Sequence, residues 1–444
     1  MRKTGRRIQK DVSIIRSEDF LILCRNGRCN VFVRNRKMPP EDLVLSMINR
    51  KGISTKLEVR NFMNISHPGV QISTPGYLKQ RLKLNPDALE YLYEYHNRNF
   101  YEDADDGELY TFHGYLVLAA DGTSINVPTN EETLSEFGNA SRPGTKPCAQ
   151  LGMGCLYDVL NRQILKTTIK QHKFNEMAVA EEQIASIKDT IGDRPFLVTM
   201  DRGYPSLLSF IRYIENGTCF CVRLSSKDYK SEQQAMSSDD EDVAIVLTKN
   251  RKNRYLRTGD YDLIKDRKDV RLRFVRVWLD ESHTQCEIFA TNLPRNQFPA
   301  DCFGELYHLR WNVETAFETL KDRLQIENFT GTKPILIKQD IFSTIYVCNL
   351  VEDIARESEL EQKEHLENDY KHRMAINRSV CIGLLKSDLI YILLQVDPQV
   401  QEALFQKLYE EISASIVPIR PNRKYERTKG NLTGKYSTTH KRNF

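Results

Sequence analysis

The sequence predicts an α/β protein: a mixed sheet with helical crossovers, an antiparallel β insertion, and helical regions at both ends. Three observations carry this. Between residues 113 and 224 short continuous apolar runs alternate with amphipathic segments, the rhythm of strands joined by crossover helices. From 225 to 294 polar and apolar residues instead alternate with period two, as in antiparallel strands with one solvated face. Outside these stretches the apolar residues recur at helical spacing.

The first hundred residues read as mostly helical after the apolar stretch "FLILCR", with "PPEDLVLSMINRKG" and "TPGYLKQRLKLNPDALEYLYEYHNRNF" as amphipathic segments. A helix starting after the Ser/Thr-Pro signal of "STPGYLKQRLKL" brings Lys79, Arg81 and Lys83 near one another. That group is either a DNA-contacting face or a solvated one. "GYLVLAA" then runs into Asp121, and "LGMGCLYDVL" and "QILKTTIK" follow with strand character. "NEMAVAEEQIASIKDTIG" reads as a helix closed by Gly192. "PFLVTM" is a buried strand ending in Asp201, "PSLLSFIRYIENG" a helix with Pro at its start and Gly217 at its end, and "CFCVRL" a further strand. Helices return after Ile341, and the carboxyl-terminal stretch has little apolar content.

With 444 residues, 40% apolar and 28% charged, the chain is long enough for two or three domains with real cores and is not a disordered one. No apolar run approaches the roughly 18 residues a membrane helix needs, and "MRKTGRRIQK" is followed by no signal-type block. The expectation is a cytoplasmic protein. The ten cysteines are scattered and lack C-x-x-C pairs, so they are expected to be reduced thiols packed as small apolar residues. The net charge of +4 hides an uneven distribution, because eight Lys/Arg face only Glu426 between Arg420 and Phe444. This tail, and the cluster Arg2, Lys3, Arg6, Arg7 and Lys10, fit phosphate contacts. The acidic "SSDDED" within the insertion is expected to point away from a duplex.

The segment "YHLRWNVETAFETLK" carries the chemistry. On a helical wheel Leu306, Leu309, Val313, Phe317, Leu320 and Leu324 fall within about 80° of arc, a core-facing stripe. Tyr307, Arg310, Glu314 and Lys321 fall within about 60° on its flank, where four polar groups share one cleft. Glu318 and Asp322 lie nearby, so Glu314 is not unique as an acid. Either strand-end aspartate alone could cap a turn, in "DGTS" or "DRGYP". Two of them from one sheet, with a glutamate from a packed helix, would repel one another unless divalent cations neutralised them. Hard oxygen ligands suit Mg²⁺ or Mn²⁺, and two such ions serve in-line displacement at phosphorus.

The chain resembles the DD(E) transposases of bacterial insertion sequences, of the IS-four type. The resemblance lies in the first aspartate of "LAADGTSINVP", the second in "VTMDRGYPS", "ATNLP", and a Tyr-x2-Arg-x3-Glu-x6-Lys signature read as Tyr307, Arg310, Glu314 and Lys321. It covers roughly residues 70 to 350. It implies an RNase H-like catalytic core, with Asp121, Asp201 and Glu314 holding two Mg²⁺ or Mn²⁺ ions. It also implies a β insertion between Asp201 and Glu314. Tyr307, Arg310 and Lys321 would hold phosphates near the transposon end and help with a hairpin formed there. Relatives use a tryptophan of the insertion against a flipped base. Trp278 in "FVRVWLD" is the candidate here, although an alternating strand position is more often core.

The expected partners are double-stranded DNA, as transposon ends and target, and a second copy of the chain in a homodimer. The expected location is cytoplasmic and nucleoid-associated. The alternatives are a non-mobile RNase H-like nuclease and a domesticated DNA-binding protein. The expected organisation is a mostly helical DNA-binding region (1–107), the first part of the core (108–224), the β insertion (225–294) and the second part of the core with the signature helix (295–350). A helical region that is the candidate for dimerisation (351–416) and a basic flexible tail (417–444) follow.

Overall fold

The computed structural model describes residues 2–34, 36–105, 107–256 and 260–419. Most of the carboxyl-terminal tail, residues 420–444, lies outside the described residues. The centre is one eight-stranded sheet made of β1 (Leu116–Asn126), β2 (Gln150–Asp158), β3 (Gln163–Gln171), β4 (Phe196–Met200), β5 (Cys219–Leu224), β6 (Asp240–Val246), β7 (Asp269–Trp278) and β8 (Cys286–Thr291). Their order is β3-β2-β1-β4-β5-β8-β7-β6. β1, β2 and β3 form an antiparallel meander, while β4 and β5 run parallel to β1. This is the RNase H-like order, and the mixed α/β class is the predicted one.

The insertion strands are antiparallel, as their alternation predicts. In the chain they lie between Asp201 and Glu314, and in space β8 pairs with β5, so they extend the same sheet. The acidic stretch belongs to the outer strand of that extension. Asp240 accepts from Nε and Nη2 of Arg273 at 2.8 and 2.7 Å, and Asp242 takes the fork of Arg295 at 3.0 Å on each oxygen. These acids neutralise arginines, and their charge also discourages another chain from pairing with this edge.

Among the described residues six helices precede β1: α1 (Lys3–Ile15), α2 (Glu18–Arg25), α3 (Pro40–Ile48), α4 (Thr55–Ser66), α5 (Thr74–Arg81) and α6 (Asp87–Glu102). "FLILCR" is the body of α2. α7 (Glu131–Phe137) follows β1. The crossover read as one helix up to Gly192 is two, α8 (Glu176–Ala185) and α9 (Lys188–Ile191), with Gly192 at φ +69° closing the second. α10 (Leu207–Glu215) starts one residue after Pro205, on Ser206, whose hydroxyl accepts the Ser209 N–H at 3.4 Å. α11 (Lys230–Ala235) and α12 (Lys249–Asn253) are short pieces of the insertion, and α13 (Phe303–Leu309) and α14 (Asn312–Glu318) carry the signature. α15 (Pro334–Glu361), α16 (Lys363–Asn368), α17 (Arg378–Leu394) and α18 (Pro398–Ala414) complete the described chain. No helix among the described residues is long and apolar enough to cross a membrane.

Two buried charge clusters fasten the amino-terminal helices to α15, and they correct the reading of the basic residues there. Arg81 is completely buried, neither a DNA contact nor a solvated group. Its Nη2 meets Asp340 at 2.8 Å, where Arg50 also pairs at 2.9 Å. Burial opposes ionisation of Asp340, yet the two guanidinium groups outweigh it and hold the carboxyl below its usual range. Of the amino-terminal cluster, Arg7 forks onto Asp353 at 2.8 and 2.6 Å, Lys3 reaches Asp105 and Glu108, and Lys10 reaches Asp103. Arg2 pairs with Glu361 as well, so four of its five cations are engaged by acids of the chain itself.

His96 completes the second cluster, with Nδ1 2.7 Å from Asp11 and Nε2 3.4 Å from Asp353. Burial would lower its pKa, but the two carboxylates more than compensate and push it up to about 9. The folded state thus holds a proton that the unfolded chain releases near its ordinary value of 6.5. The stabilisation is complete below 6.5 and is lost as pH rises through about 9. Thermal melts between pH 7 and 10 should therefore show a fall in Tm that His96→Gln does not share. Parallel profiles for the two proteins would remove His96 as the cause.

Candidate active site

Strand parity decides what faces the site. On β1, Leu116, Leu118 and Ala120 pack into the core under α8 and α10. Val117 and Ala119 point the other way, into the core shared with α13, α14 and α15. Asp121 falls on this second face, and so does Asp201, two residues after Thr199. The β1–β4 ladder aligns Ala119 with Thr199, so Asp121, within β1, and Asp201, the residue that follows β4, stand level at the open end of adjacent parallel strands.

The reason Asp121 reaches solvent is not the one the apolar run implies. β1 does not end there but continues to Asn126, paired with β2 to the last residue. It is β4 that stops at Met200, which leaves the β4 side of β1 uncovered from Asp121 onward.

The signature segment closes the other wall. Leu306, Val313, Phe317, Leu320 and Leu324 are buried as the wheel predicts, with Leu309 packed at the margin. The helix is not continuous, however. Around Arg310 the N–H groups of Arg310, Trp311, Val313 and Glu314 bond three residues back, which tightens the turn between α13 and α14. After α14 a π turn spans Thr319–Arg323, with the Leu324 N–H reaching the Thr319 carbonyl at 2.9 Å. Lys321 sits inside this widened turn, a device often found where function requires a side chain to be re-aimed.

Asp121, Gly122, Asp201, Arg310, Glu314, Phe317, Glu318, Lys321 and Asp322 line one open cleft of about 410 Å³. Arg310 lies between two acids, with Nη1 3.2 Å from Asp121 and Nη2 3.2 Å from Glu314. Lys321 donates to the Thr123 hydroxyl at 2.7 Å, and burial lowers its pKa. Asp121 accepts the Gly122 N–H at 2.8 Å, and Asp201 accepts the Gly203 N–H at 2.7 Å. Burial, with added repulsion from Asp201 and Glu176, pushes the Asp121 carboxyl up to about 6 despite Gly122 and Arg310.

A group so destabilised as an anion is one that a divalent cation would ionise, and the donor set is the hard-oxygen set such a cation takes. In chemistry the residues fit. In placement, no three acidic, histidine or cysteine side chains among the described residues stand close enough to hold one ion, and Glu314 is turned onto Arg310.

Two of the seven residues predicted from sequence lie away from the cleft. Tyr307 is 4% exposed, its ring packed on Phe289 with the guanidinium carbons of Arg310 and Arg223 5.5 and 5.8 Å from its centre. Trp278 ends β7 at the same end of the sheet as Asp201, with β5 and β8 between them. Its parity is that of Leu272 and Phe274, which puts it on the face opposite the cleft. There its indole N–H donates to Asp239 at 2.8 Å and its ring stacks on His283 at 4.6 Å. Arg223, which backs Tyr307, and Glu176, which approaches from α8, escaped the sequence reading. Neither stands in a motif, and only the packing of distant elements brings them in.

A mixed RNase H-like sheet with aspartates on two adjacent parallel strands, facing an Arg–Glu–Lys segment, defines a class of enzymes acting on nucleic-acid phosphodiesters. Residues 112–350 match the family model described as the transposase DDE domain, and the chain belongs to that family. It is similar to the transposase InsG for insertion sequence element IS4 of Escherichia coli (strain K12), with 21% identity over 377 residues covering 81% of this chain and 79% of that one. It is also similar to the transposase for insertion sequence element IS231E of Bacillus thuringiensis subsp. finitimus, with 24% identity over 58% of this chain and 60% of the relative. Among solved structures, the piggyBac transposase in a synaptic complex with hairpin DNA aligns over 96% of this chain and 88% of its own, with a TM-score of 0.48 and 8% identity. The protein is thus a DNA transposase, an enzyme of DNA cleavage and strand transfer, in a family whose chemistry uses divalent metal.

Proposed function

We propose that Asp121, Asp201 and Glu314 form the catalytic triad of carboxylates and hold two Mg²⁺ or Mn²⁺ ions, with Arg310 and Lys321 on the phosphates of the transposon end. The observation that carries this reading is the level placement of Asp121 and Asp201 on one face of the sheet, in a cleft shared with Arg310, Glu314 and Lys321. Bound divalent ions supply a more acidic attacking hydroxyl and neutralise charge on the departing oxygen.

The chain's own groups do the rest. Arg310, now shared between Asp121 and Glu314, releases both when a phosphate offers its fork a better partner. Tyr307 orients Arg310 from behind. Lys321 supplies a compact charge beside β1.

In the first transfer a water oxygen bonds to phosphorus at the element's end and the 3′-oxygen leaves as a hydroxyl. That 3′-hydroxyl attacks phosphorus of the opposite strand, which closes a hairpin and releases the flanking DNA's 3′-hydroxyl. Water then opens the hairpin phosphodiester and frees the element's 3′-hydroxyl, which bonds to a target phosphorus and expels the target strand's 3′-hydroxyl. A homodimer holds the two ends. Trp278 is the proposed stacking residue for a flipped base. The base would have to pass around the end of the sheet that Trp278 shares with Asp201, since the indole lies on the face opposite the cleft. Unchanged hairpin yield in a folded Trp278→Ala variant would remove it from that role.

The test incubates the full chain and Mg²⁺ with linear DNA carrying the element's inverted repeats, and resolves nicked, hairpin and target-joined products on denaturing gels. All three are expected. Cleavage without joining of pre-cut ends would mark a nuclease that lacks strand transfer.

A further inference from the structure

Glu176, the first residue of α8, lies on the face of the sheet opposite the cleft and touches the segments that carry both aspartates. One contact is with Gly122. A Cβ built on this residue would lie 2.8 Å from Cδ and 2.9 Å from Oε1 of Glu176. A side chain at this position would have to displace the Glu176 carboxylate, so the glycine after Asp121 leaves that space to it. The other contact is with Tyr204, whose hydroxyl donates to Oε2 at 3.3 Å. Tyr204 is 4% exposed, and its N–H bonds to the Asp201 carbonyl at 3.2 Å, so it is fixed to the turn that presents Asp201.

These contacts fall where the sheet offers least support. The β1–β4 ladder ends at Ala119 and Thr199, so no strand pairing sets the distance between Asp121 and Asp201 beyond it. The carboxylate of Glu176 spans that gap, with one oxygen against β1 and the other on the Asp201 turn. It is itself held at a helix start, where the Asn175 side chain accepts the Ala178 N–H at 3.3 Å.

We infer that Glu176 is a positioning residue for the reaction, fixing the separation of Asp121 and Asp201 through Gly122 and Tyr204 and so setting the affinity of that pair for a divalent cation. The inference rests on the reading of Asp121 and Asp201 as the cation's ligands. Residues that orient metal ligands without touching the metal typically contribute 10–100-fold in affinity, and about 10-fold is expected here.

The experiment titrates the full chain with Mn²⁺, without DNA, and follows free Mn²⁺ by electron paramagnetic resonance. Glu176→Ala and Tyr204→Phe should each weaken binding about 10-fold. Glu176→Gln keeps an oxygen for the Tyr204 hydroxyl and should restore most of the affinity. Tyr204→Phe removes a single oxygen, which keeps the test informative if Glu176→Ala does not fold. Asp201→Asn is the control and should abolish tight binding. If Asp201→Asn binds Mn²⁺ as the unaltered protein does, the site reading fails. If it loses Mn²⁺ while Glu176→Ala and Tyr204→Phe bind normally, only the inference about Glu176 falls. Weak binding by Glu176→Gln alongside normal binding by Tyr204→Phe would overturn positioning in favour of simple charge.

Discussion

Asp201→Asn is expected to reduce metal-dependent cleavage of end-containing DNA by roughly 10³-fold or more, the scale on which removal of several kcal/mol of transition-state charge stabilisation reads out. The substitution keeps the shape of the side chain and an oxygen to accept the Gly203 N–H, so the turn after β4 should survive. What it removes is the negative charge. Asp121→Asn and Glu314→Gln should act alike, the first keeping an acceptor for Gly122 and the second changing a side chain that is partly solvent-exposed. Binding to the same DNA should persist in all three, since duplex affinity comes mainly from cations against phosphates. Any variant that folds and still cleaves at an ordinary rate takes its residue out of the site.

Asp340→Ala should cost about 3–5 kcal/mol of stability, read as a lowered urea midpoint, because it leaves two guanidinium groups buried without their anion. Arg81 and Arg50 both converge on this carboxylate, and the Thr330 N–H donates to it at 2.7 Å. All of these groups are buried, so the loss is one of uncompensated burial and not of a surface pair. Arg81→Ala should destabilise through the same network. Its effect on the salt dependence of DNA binding separates the two readings of this helix. A slope unchanged from the unaltered protein is expected, and one shallower by about 1 would restore Arg81 as a phosphate contact. A loss below about 1 kcal/mol for Asp340→Ala would show that the cluster is not what joins α5 to α15.

Much of the site was legible because its elements are local. The stripe from Leu306 to Leu324 depends on helical periodicity and survives even though the helix is broken, because a tightened turn near Arg310 and a widened one near Lys321 shift phase in opposite senses. The strands around Asp121 and Asp201 were visible as apolar runs, since a strand covered on both faces needs apolar residues at every position. The insertion's alternation likewise identified antiparallel strands. It could not say which strand they would join, because pairing is a contact between segments and not a property of either one.

The basic residues show the converse. Lys79, exposed, and Arg81, fully buried, are two positions apart on one short helix, and nothing in the local pattern separates them. Arg81 is taken inside by Asp340, which lies 259 residues away in the chain. Trp278 and Tyr307 follow the same rule. A strand's parity puts the first on the far face of the sheet, and packing against Phe289 and Arg223 puts the second behind Arg310.

By itself, then, the sequence determined the chemistry: which acids and cations there are, on what kind of element each stands, and the reaction they suit. Tertiary structure alone decided which of them meet. It set Asp121 facing Asp201 where β4 stops short, brought Glu176 into the space Gly122 leaves open, and consumed Arg7, Arg50 and Arg81 as internal counter-ions. The physical reason is that periodicity and propensity act over a few residues, whereas a buried charge is tolerated only beside its opposite, wherever in the chain that partner arises.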